Sequence, residues 1–282
     1  MSDNTIFITG GTSGIGKETT LALAQAGATV VFTARTKEIG ETIQQQISTQ
    51  SGNQHVSFLV CDLSSLDAVR RMGTEFIERH QRLDVLINNA GVMEHTRKVS
   101  VDGFEMDFAV NYLAPFLLTN LLLPTLKASA PARIINVSSY LHQHGVINFD
   151  DLQSEHTFDR HATYAQSKLA LMLFTAKLAR DLAGTGVTAN TLHPGVVATN
   201  INAPSVAQMN SLKRFAYMLY SATRLSPKQG AQTSIYLALS PEVAHVTGAY
   251  FDNKKIVEAS PLVSDEKLAD RLWEVSARLV GL

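Results

Sequence analysis

Short β-branched runs alternate with longer amphipathic segments along the whole chain, and repeated βαβ units are the fold pattern that this alternation specifies. The apolar runs fall at 5–9, 29–33, 56–61, 85–88, 133–137, 187–192 and 249–252. They are nearly continuous in hydrophobicity, as strands covered on both faces must be. Helical patterns lie between them at 14–26, 38–49, 66–80, 103–128, 162–183 and 228–239. The expected architecture is α/β, a doubly wound, mainly seven-stranded parallel sheet flanked by helices. No repeat or Pro/Gly/Ser-rich linker divides the 282 residues, so a single domain over 1–282 is expected. Two connections are long, 140–161 and 197–226; each follows a strand, where long loops in compact domains tend to carry function.

Composition narrows the function classes. A formal net charge of -1 with 17% charged and 45% hydrophobic residues argues against disorder and against broad attraction to nucleic acid. Cys61 is the single cysteine, which excludes an internal disulfide and a cysteine-built zinc site; at the end of an apolar run it reads as a small buried hydrophobe. Nine histidines are scattered, and the closest pair, His142 and His144, has no third ligand at a suitable spacing, so no metal is expected. No basic stretch followed by an apolar one opens the sequence, so a cytoplasmic location is expected. The apolar stretch 112–126 contains Pro115, Asn120 and Pro124 and falls short of the ~20 residues of a membrane span, so it reads as a buried helix, with peripheral membrane contact at most.

Thr9-Gly10-Gly11-Thr12-Ser13-Gly14-Ile15-Gly16 follows the first strand and opens the first helix, the context of a phosphate-binding turn. Gly10 permits the tight turn, Gly14 lets backbone approach a pyrophosphate, and Gly16 lets helix and strand pack closely. A plain glycine-rich connection is the competing reading. The second strand runs into Arg35 where a carboxylate would grip a ribose diol, so NADP(H) is the expected cofactor, with a guanidinium for the 2′-phosphate. A solvated arginine at a helix start would look the same. Asp62 and Leu63 follow the third strand: the carboxylate suits an adenine amino group, and equally suits capping the helix that begins near Ser65. Asn88-Asn89-Ala90-Gly91 after the fourth strand offers small residues beside a ribose and amides that tie strands together, or an ordinary turn.

Tyr164 and Lys168 stand four residues apart at the start of a long amphipathic helix, on one face and one turn apart. A nearby ammonium favours tyrosinate, which would let the phenol exchange a proton with a substrate oxygen nearer neutral pH. Ser139 ends the fifth strand, at the sheet edge where such folds bind ligands, and its hydroxyl can polarise a carbonyl. Asn111 sits inside the helical pattern 103–128, where asparagine is unfavoured unless it has a specific partner or marks a kink.

The ordered set of the glycine turn, Asp62, Asn88 to Gly91, Asn111, Ser139, Tyr164 with Lys168, and His193-Pro194-Gly195 with Thr199 resembles the short-chain dehydrogenase/reductase family. The resemblance implies a Rossmann-type fold and hydride transfer between nicotinamide and a carbonyl or alcohol. It implies that Tyr164 is the general acid/base, Lys168 binds the nicotinamide ribose beside it, Ser139 orients the carbonyl and Asn111 supports a water-linked proton relay. Gly195, Val197 and Thr199 would border the nicotinamide amide and phosphate, and a homodimer or homotetramer is implied. The 25 residues from Ser139 to Tyr164, longer than most of the family shows, resemble the retinol dehydrogenase, WW-domain oxidoreductase and protochlorophyllide reductase branch.

The segment 206–225 carries Met209, Leu212, Phe215, Ala216, Met218 and Leu219 and reads as a lid over an apolar substrate such as a retinal-like, aldehyde, ketone or sterol-like compound. A permanently packed face, or a helix resting on a membrane through Lys213, Arg214 and Arg224, would also show this pattern. Two other functions fit parts of the sequence: a non-catalytic NADP(H)-sensing interaction protein, and a sugar-nucleotide epimerase or dehydratase.

Overall fold

The structure, a computed structural model, describes residues 4–197 and 224–282. Thr199 and nearly all of 206–225 lie outside these residues. The strands are β1 (Thr5–Ile8), β2 (Thr29–Ala34), β3 (Val56–Val60), β4 (Val85–Asn88), β5 (Ala132–Val137), β6 (Val187–His193), β7 (Tyr250–Asp252) and β8 (Lys255–Ile256). They form one sheet in the order β3-β2-β1-β4-β5-β6-β7-β8. Every pairing is parallel except β7 with β8. The seven expected strands are thus joined by an eighth. Asn253 and Lys254 both take positive φ, 45° and 65°, which is the two-residue turn that matches the twist of antiparallel strands. At two residues, β8 is too short to register as an apolar run.

Side chains alternate across the strands. Phe7, Val31 and Leu86 face one apolar layer; Ile6, Ile8, Phe32 and Ile87 face the other. The second layer is covered by α1 (Gly14–Gln25), α2 (Lys37–Ser51) and α6 (Gln232–Leu239). The first is covered by α3 (Leu66–Arg79), α4 (Met106–Ala128), α5 (Arg160–Asp181) and α7 (Glu266–Val280). By length and composition α4 could cross a membrane, but most of it is buried in the protein core.

Two helices depart from the sequence reading. The segment starting at Gly103 becomes helical only at Met106, because the Glu105 carboxylate accepts from the N–H groups of Asp107 and Phe108 and caps it there. Within it, Ala109–Leu113 form a π turn. Helix α7 was not expected at all. It is capped by Asp265, buries Ala269, Leu272, Ser276 and Val280 at helical spacing, and lies against α5. It follows the last strand, where the βαβ alternation calls for no further helix.

Phe116 joins three of these helices. It is fully buried on α4, with ring centroids 5.1 Å from Phe174 of α5 and 5.0 Å from Trp273 of α7. Removing so much buried surface from a packed core costs about 3–5 kcal/mol. Phe116→Ala is therefore expected to lower the denaturant midpoint by a corresponding amount, with α7 loosening first; an unchanged midpoint and unchanged hydrogen exchange in α7 would contradict this packing.

Candidate active site

The chain leaves β1 toward β2 on one side, and β4 lies on the other, so the strand order reverses at β1 and a crevice opens beyond the carboxyl ends of the strands. The cavity there has a volume of about 820 Å³. Gly10, Thr12, Ser13, Gly14, Ile15, Gly16, Arg35, Asp62, Leu63, Ala90, Gly91, Tyr164 and Lys168, all expected from sequence, line it.

Gly10 has φ +70°, and its N–H donates to Thr33 Oγ1 at 2.8 Å. A Cβ on Gly16 would stand 2.1 Å from the Gly10 carbonyl oxygen and 2.5 Å from Asn89 Nδ2. Asn89 Nδ2 donates to the carbonyls of Thr9 and Gly10, at 2.9 and 3.3 Å, and Thr9 Oγ1 accepts from the N–H groups of Asn89 and Ala90. The turns after β1 and β4 are therefore one hydrogen-bonded body. Ser13 precedes α1 without capping it by its side chain, so the first N–H groups of the helix and its positive dipole end are left for an anion. An uncapped helix start, held at the cavity by a glycine that admits no side chain, fits a pyrophosphate.

Ser65, not Asp62, caps α3, accepting from Ala68; Asp62 accepts from the N–H and hydroxyl of Ser64 and lines the cleft with Leu63. Arg35 is exposed at the cleft and precedes Thr36, the capping residue of α2, whereas Lys37 pairs with Glu41 on its own helix at 3.7 Å. Asn88 is not a cleft residue. Fully buried, it donates to Thr119 Oγ1 at 3.1 Å and to Asn136 Oδ1 at 2.7 Å, and Asn136 in turn donates to Thr175 Oγ1 at 2.7 Å. This chain of amides ties β4 and β5 to α4 and α5, and Asn89 takes the cleft position instead. From the loop after β6, Pro194 reaches the cleft, while Gly195 donates its N–H to His193 Nδ1 and Val197 packs against Gly230.

At the other end of the cleft, Asp159 caps α5 through the N–H groups of His161 and Ala162, so the helix starts at Arg160 and places Tyr164 one turn inside. Lys168 Nζ lies 5.6 Å from the Tyr164 ring centroid and donates to the Val137 carbonyl at 3.0 Å. The Ser139 side chain is close enough to the Tyr164 phenol to favour its ionised form. Leu141 N–H donates to Ser139 Oγ at 3.2 Å, occupying a lone pair and leaving the hydroxyl proton to be given away.

Asn111 lies in the π turn of α4, so both readings of it hold: it has specific partners and it marks a distortion. Its Oδ1 accepts from Val92 N–H at 2.8 Å, and its Nδ2 donates to Val92 O and Ser167 Oγ. Gly91 lies between, where a Cβ would meet Asn111 Oδ1 at 3.2 Å and Lys168 Nζ at 3.3 Å.

Burial dominates the electrostatics. It pushes the Tyr164 phenol up to about 12, opposed by the Ser139 side chain and assisted by the Asp107 charge. The phenol is therefore protonated at neutral pH, and the depression expected from Lys168 is not among the causes of its shift. Burial also draws Lys168 down to about 8, with Asp107 acting the other way. Asp107, one turn before Asn111, is itself raised to about 7 by burial and by Glu105. Its Oδ1 accepts from Glu94 N–H, and its buried Oδ2 has no hydrogen-bond partner. Only its spacing to Asn111 could have marked it in the sequence. Gln166, between Tyr164 and Lys168, was also missed. It accepts from Asn148 N–H and donates to Leu152 O, clamping the long insertion onto the catalytic helix.

Comparison with known proteins agrees with this geometry. The short chain dehydrogenase family model matches residues 4–210. Human retinol dehydrogenase 13 is 45% identical over 99% of this chain and 85% of its own length. Human retinol dehydrogenase 14 is 43% identical over 100% of this chain and 88% of its own. Among solved structures, an uncharacterised protein from Mycobacterium Paratuberculosis aligns with a TM-score of 0.78 at 32% identity, covering 99% of this chain and 93% of that one. A blue fluorescent protein from a metagenomic library, solved in complex with NADPH, aligns with a TM-score of 0.68 at 28% identity over 88% of this chain and 95% of that one. The cleft accordingly takes a nicotinamide dinucleotide.

The Gly16 contact makes the dinucleotide site testable. Because a methyl group there must displace backbone, Gly16→Ala is expected to weaken nicotinamide cofactor binding by at least about tenfold, the effect of some 1.4 kcal/mol. Fluorescence titration would measure it, and wild-type affinity in a folded variant would mean the turn does not form the binding surface.

Proposed function

The chain belongs to the short-chain dehydrogenase/reductase family, within its retinol dehydrogenase branch, and from that premise we propose that it is an NADP(H)-dependent reductase of apolar carbonyl compounds, retinal-like in class. The observation that carries the reaction is the buried Tyr164 phenol, protonated at neutral pH and set beside the Ser139 side chain and the Lys168 ammonium. When bound, the nicotinamide supplies the hydride. Ser139 donates to the carbonyl oxygen and fixes its direction; Tyr164 gives that oxygen the proton it needs as the alcohol forms. Lys168, held at Val137 O, keeps a positive charge next to the phenolate that is left. Asn111 holds the Val92 backbone and so the wall beside Gly91.

Two features support the cofactor and substrate class. Arg35 stands at the end of β2 where a ribose-binding carboxylate would disfavour a 2′-phosphate, and its guanidinium is exposed at the cleft. Val92, Met93, Val110 and Val137 give the cleft apolar walls, and relatives 43–45% identical to this chain carry the name retinol dehydrogenase.

Tyr164→Phe is expected to lower kcat by at least about 100-fold, the usual weight of a positioned acid, while NADPH still binds; unchanged reduction of a panel of aldehydes and ketones, retinal included, would sink the assignment. Arg35→Leu removes a charge-assisted contact with the 2′-phosphate, so the Kd for NADPH is expected to rise about tenfold or more while that for NADH hardly moves. Equal losses for the two cofactors would show that Arg35 does not read the phosphate.

A further inference from the structure

We propose that His142 is a positioning residue for the Ser139 hydroxyl and that it makes this hydroxyl depend on the chain segment following β8. The proposal rests on the reading of Ser139 as the group that orients the substrate carbonyl.

His142 is fully buried in the short 3-10 turn Tyr140–His144 that begins at Ser139. Its Nδ1 lies 2.6 Å from the Ser139 carbonyl oxygen, and its Nε2 lies 3.2 Å from the backbone nitrogen of Ser260. These two contacts decide the tautomer. A carbonyl oxygen only accepts, so Nδ1 carries the hydrogen; the Ser260 N–H only donates, so Nε2 is bare. The imidazole is therefore neutral, with both nitrogens satisfied, and edge-on to Tyr250 with ring centroids 4.8 Å apart.

The Ser139 carbonyl receives a second bond, from His142 N–H at 3.1 Å. With its carbonyl held twice and its Oγ held by Leu141 N–H, Ser139 has little freedom to turn its hydroxyl away from Tyr164. Gln143 adds a parallel link by donating to the Glu258 carbonyl at 3.2 Å, so the same turn is fastened to the 258–260 segment at two points. Nothing in hydride transfer itself calls for a buried histidine three residues beyond the serine; what ties this one to the site is that its two nitrogens bridge the Ser139 carbonyl and the Ser260 N–H.

Protonation would put an N–H against the Ser260 N–H and break the link. Burial holds the imidazole below its ordinary value, the bond to Ser139 raises it, and the neighbouring His193 and His144 lower it further. Tyr250, against the ring, has Asp252 and Tyr140 as its own charged or titratable neighbours. The link is thus intact at neutral pH and opens on acidification, below the usual histidine range.

Three variants of the full-length enzyme, assayed with NADPH and retinal, separate positioning from general stability. His142→Phe keeps the ring against Tyr250 and removes both hydrogen bonds; His142→Asn restores a donor near the Nδ1 position. Ser260 has φ -53°, which proline adopts, so Ser260→Pro removes the N–H that faces Nε2, together with the serine hydroxyl, without straining the backbone. A misplacement of the order of 1 Å costs about 100-fold. His142→Phe is therefore expected to lower kcat by about 10- to 100-fold with NADPH affinity unchanged, and His142→Asn to recover most of that loss. Ser260→Pro, which breaks the same link, is expected to lower kcat in the same direction with NADPH affinity unchanged, and to move the acid limb of the pH profile upward, because Nε2 protonates more easily without its donor. Wild-type kcat in His142→Phe, an equal loss in His142→Asn, or a parallel loss of NADPH binding would overturn the proposal. If His142→Phe does not fold, an unmoved acid limb in Ser260→Pro overturns it. Nitrogen-15 shifts of labelled histidine give a readout without turnover: a hydrogen on Nδ1 is expected, and one on Nε2 refutes the link. An inactive wild type with the expected tautomer would instead count against the reductase reading and leave the His142 link standing.

Discussion

The approach of the first turn of α1 to the turn after β1 is the contact on which the nucleotide end of this protein depends. The Gly10 carbonyl occupies space that any side chain at position 16 would need, and Asn89 reaches across from β4 to hold the same oxygen. That closeness aims the unsatisfied N–H groups at the start of α1 into the cleft. It also explains why Ser13 need not cap the helix: the donors are reserved for a ligand, and a capping side chain would compete for them. The ligand site is thus a property of backbone packing, and side chains such as Arg35 only select among nucleotides that the backbone already accepts.

The reacting end obeys a different constraint, the cost of charge in a dry interior. Tyr164, Lys168, Asp107 and Glu105 are all buried within one region of the fold, and each is shifted toward its neutral form chiefly by loss of solvent. Dense hydrogen bonding offsets that cost. The amide chain from Asn88 through Asn136 to Thr175 braces the sheet beneath the site, and the π turn lets Asn111 reach both Val92 and Ser167. A protonated phenol beside a basic amine is then a proton donor with a charge already in place for the phenolate.

The long connection between Ser139 and Tyr164 belongs to this framework and not to the surface. Ile147 and Leu152 enter the core, Gln166 clamps the connection to α5, and Phe149 stacks under Arg271 of α7 with the guanidinium 3.8 Å from the ring centroid. The serine and the tyrosine, far apart along the chain, are therefore positioned by one packed unit that also includes the C-terminal helix and the 258–260 segment.

Much of this was legible in the residues alone. The alternation of apolar runs and amphipathic segments determines a parallel α/β sheet because only strands covered on both faces can be apolar throughout. The glycine turn and the spacing of Tyr164 to Lys168 determine a phosphate cradle and an acid/base pair, since both are local geometry written within eight residues. Other features had to await the tertiary structure, because they depend on partners distant in sequence. Asn88 and Asn89 are neighbours of one residue type, yet the pleat turns one into the sheet and the other into the cleft. Helix α7 and strand β8 follow the last apolar run: α7 buries residues at helical spacing, but where it packs is set by the contacts of Trp273 and Ser276, and β8 depends on a two-residue turn. The phenol's pKa was decided by burial, which no spacing of tyrosine and lysine reveals. His142 read as one histidine in a loop, and only the fold set a carbonyl against one of its nitrogens and an N–H against the other.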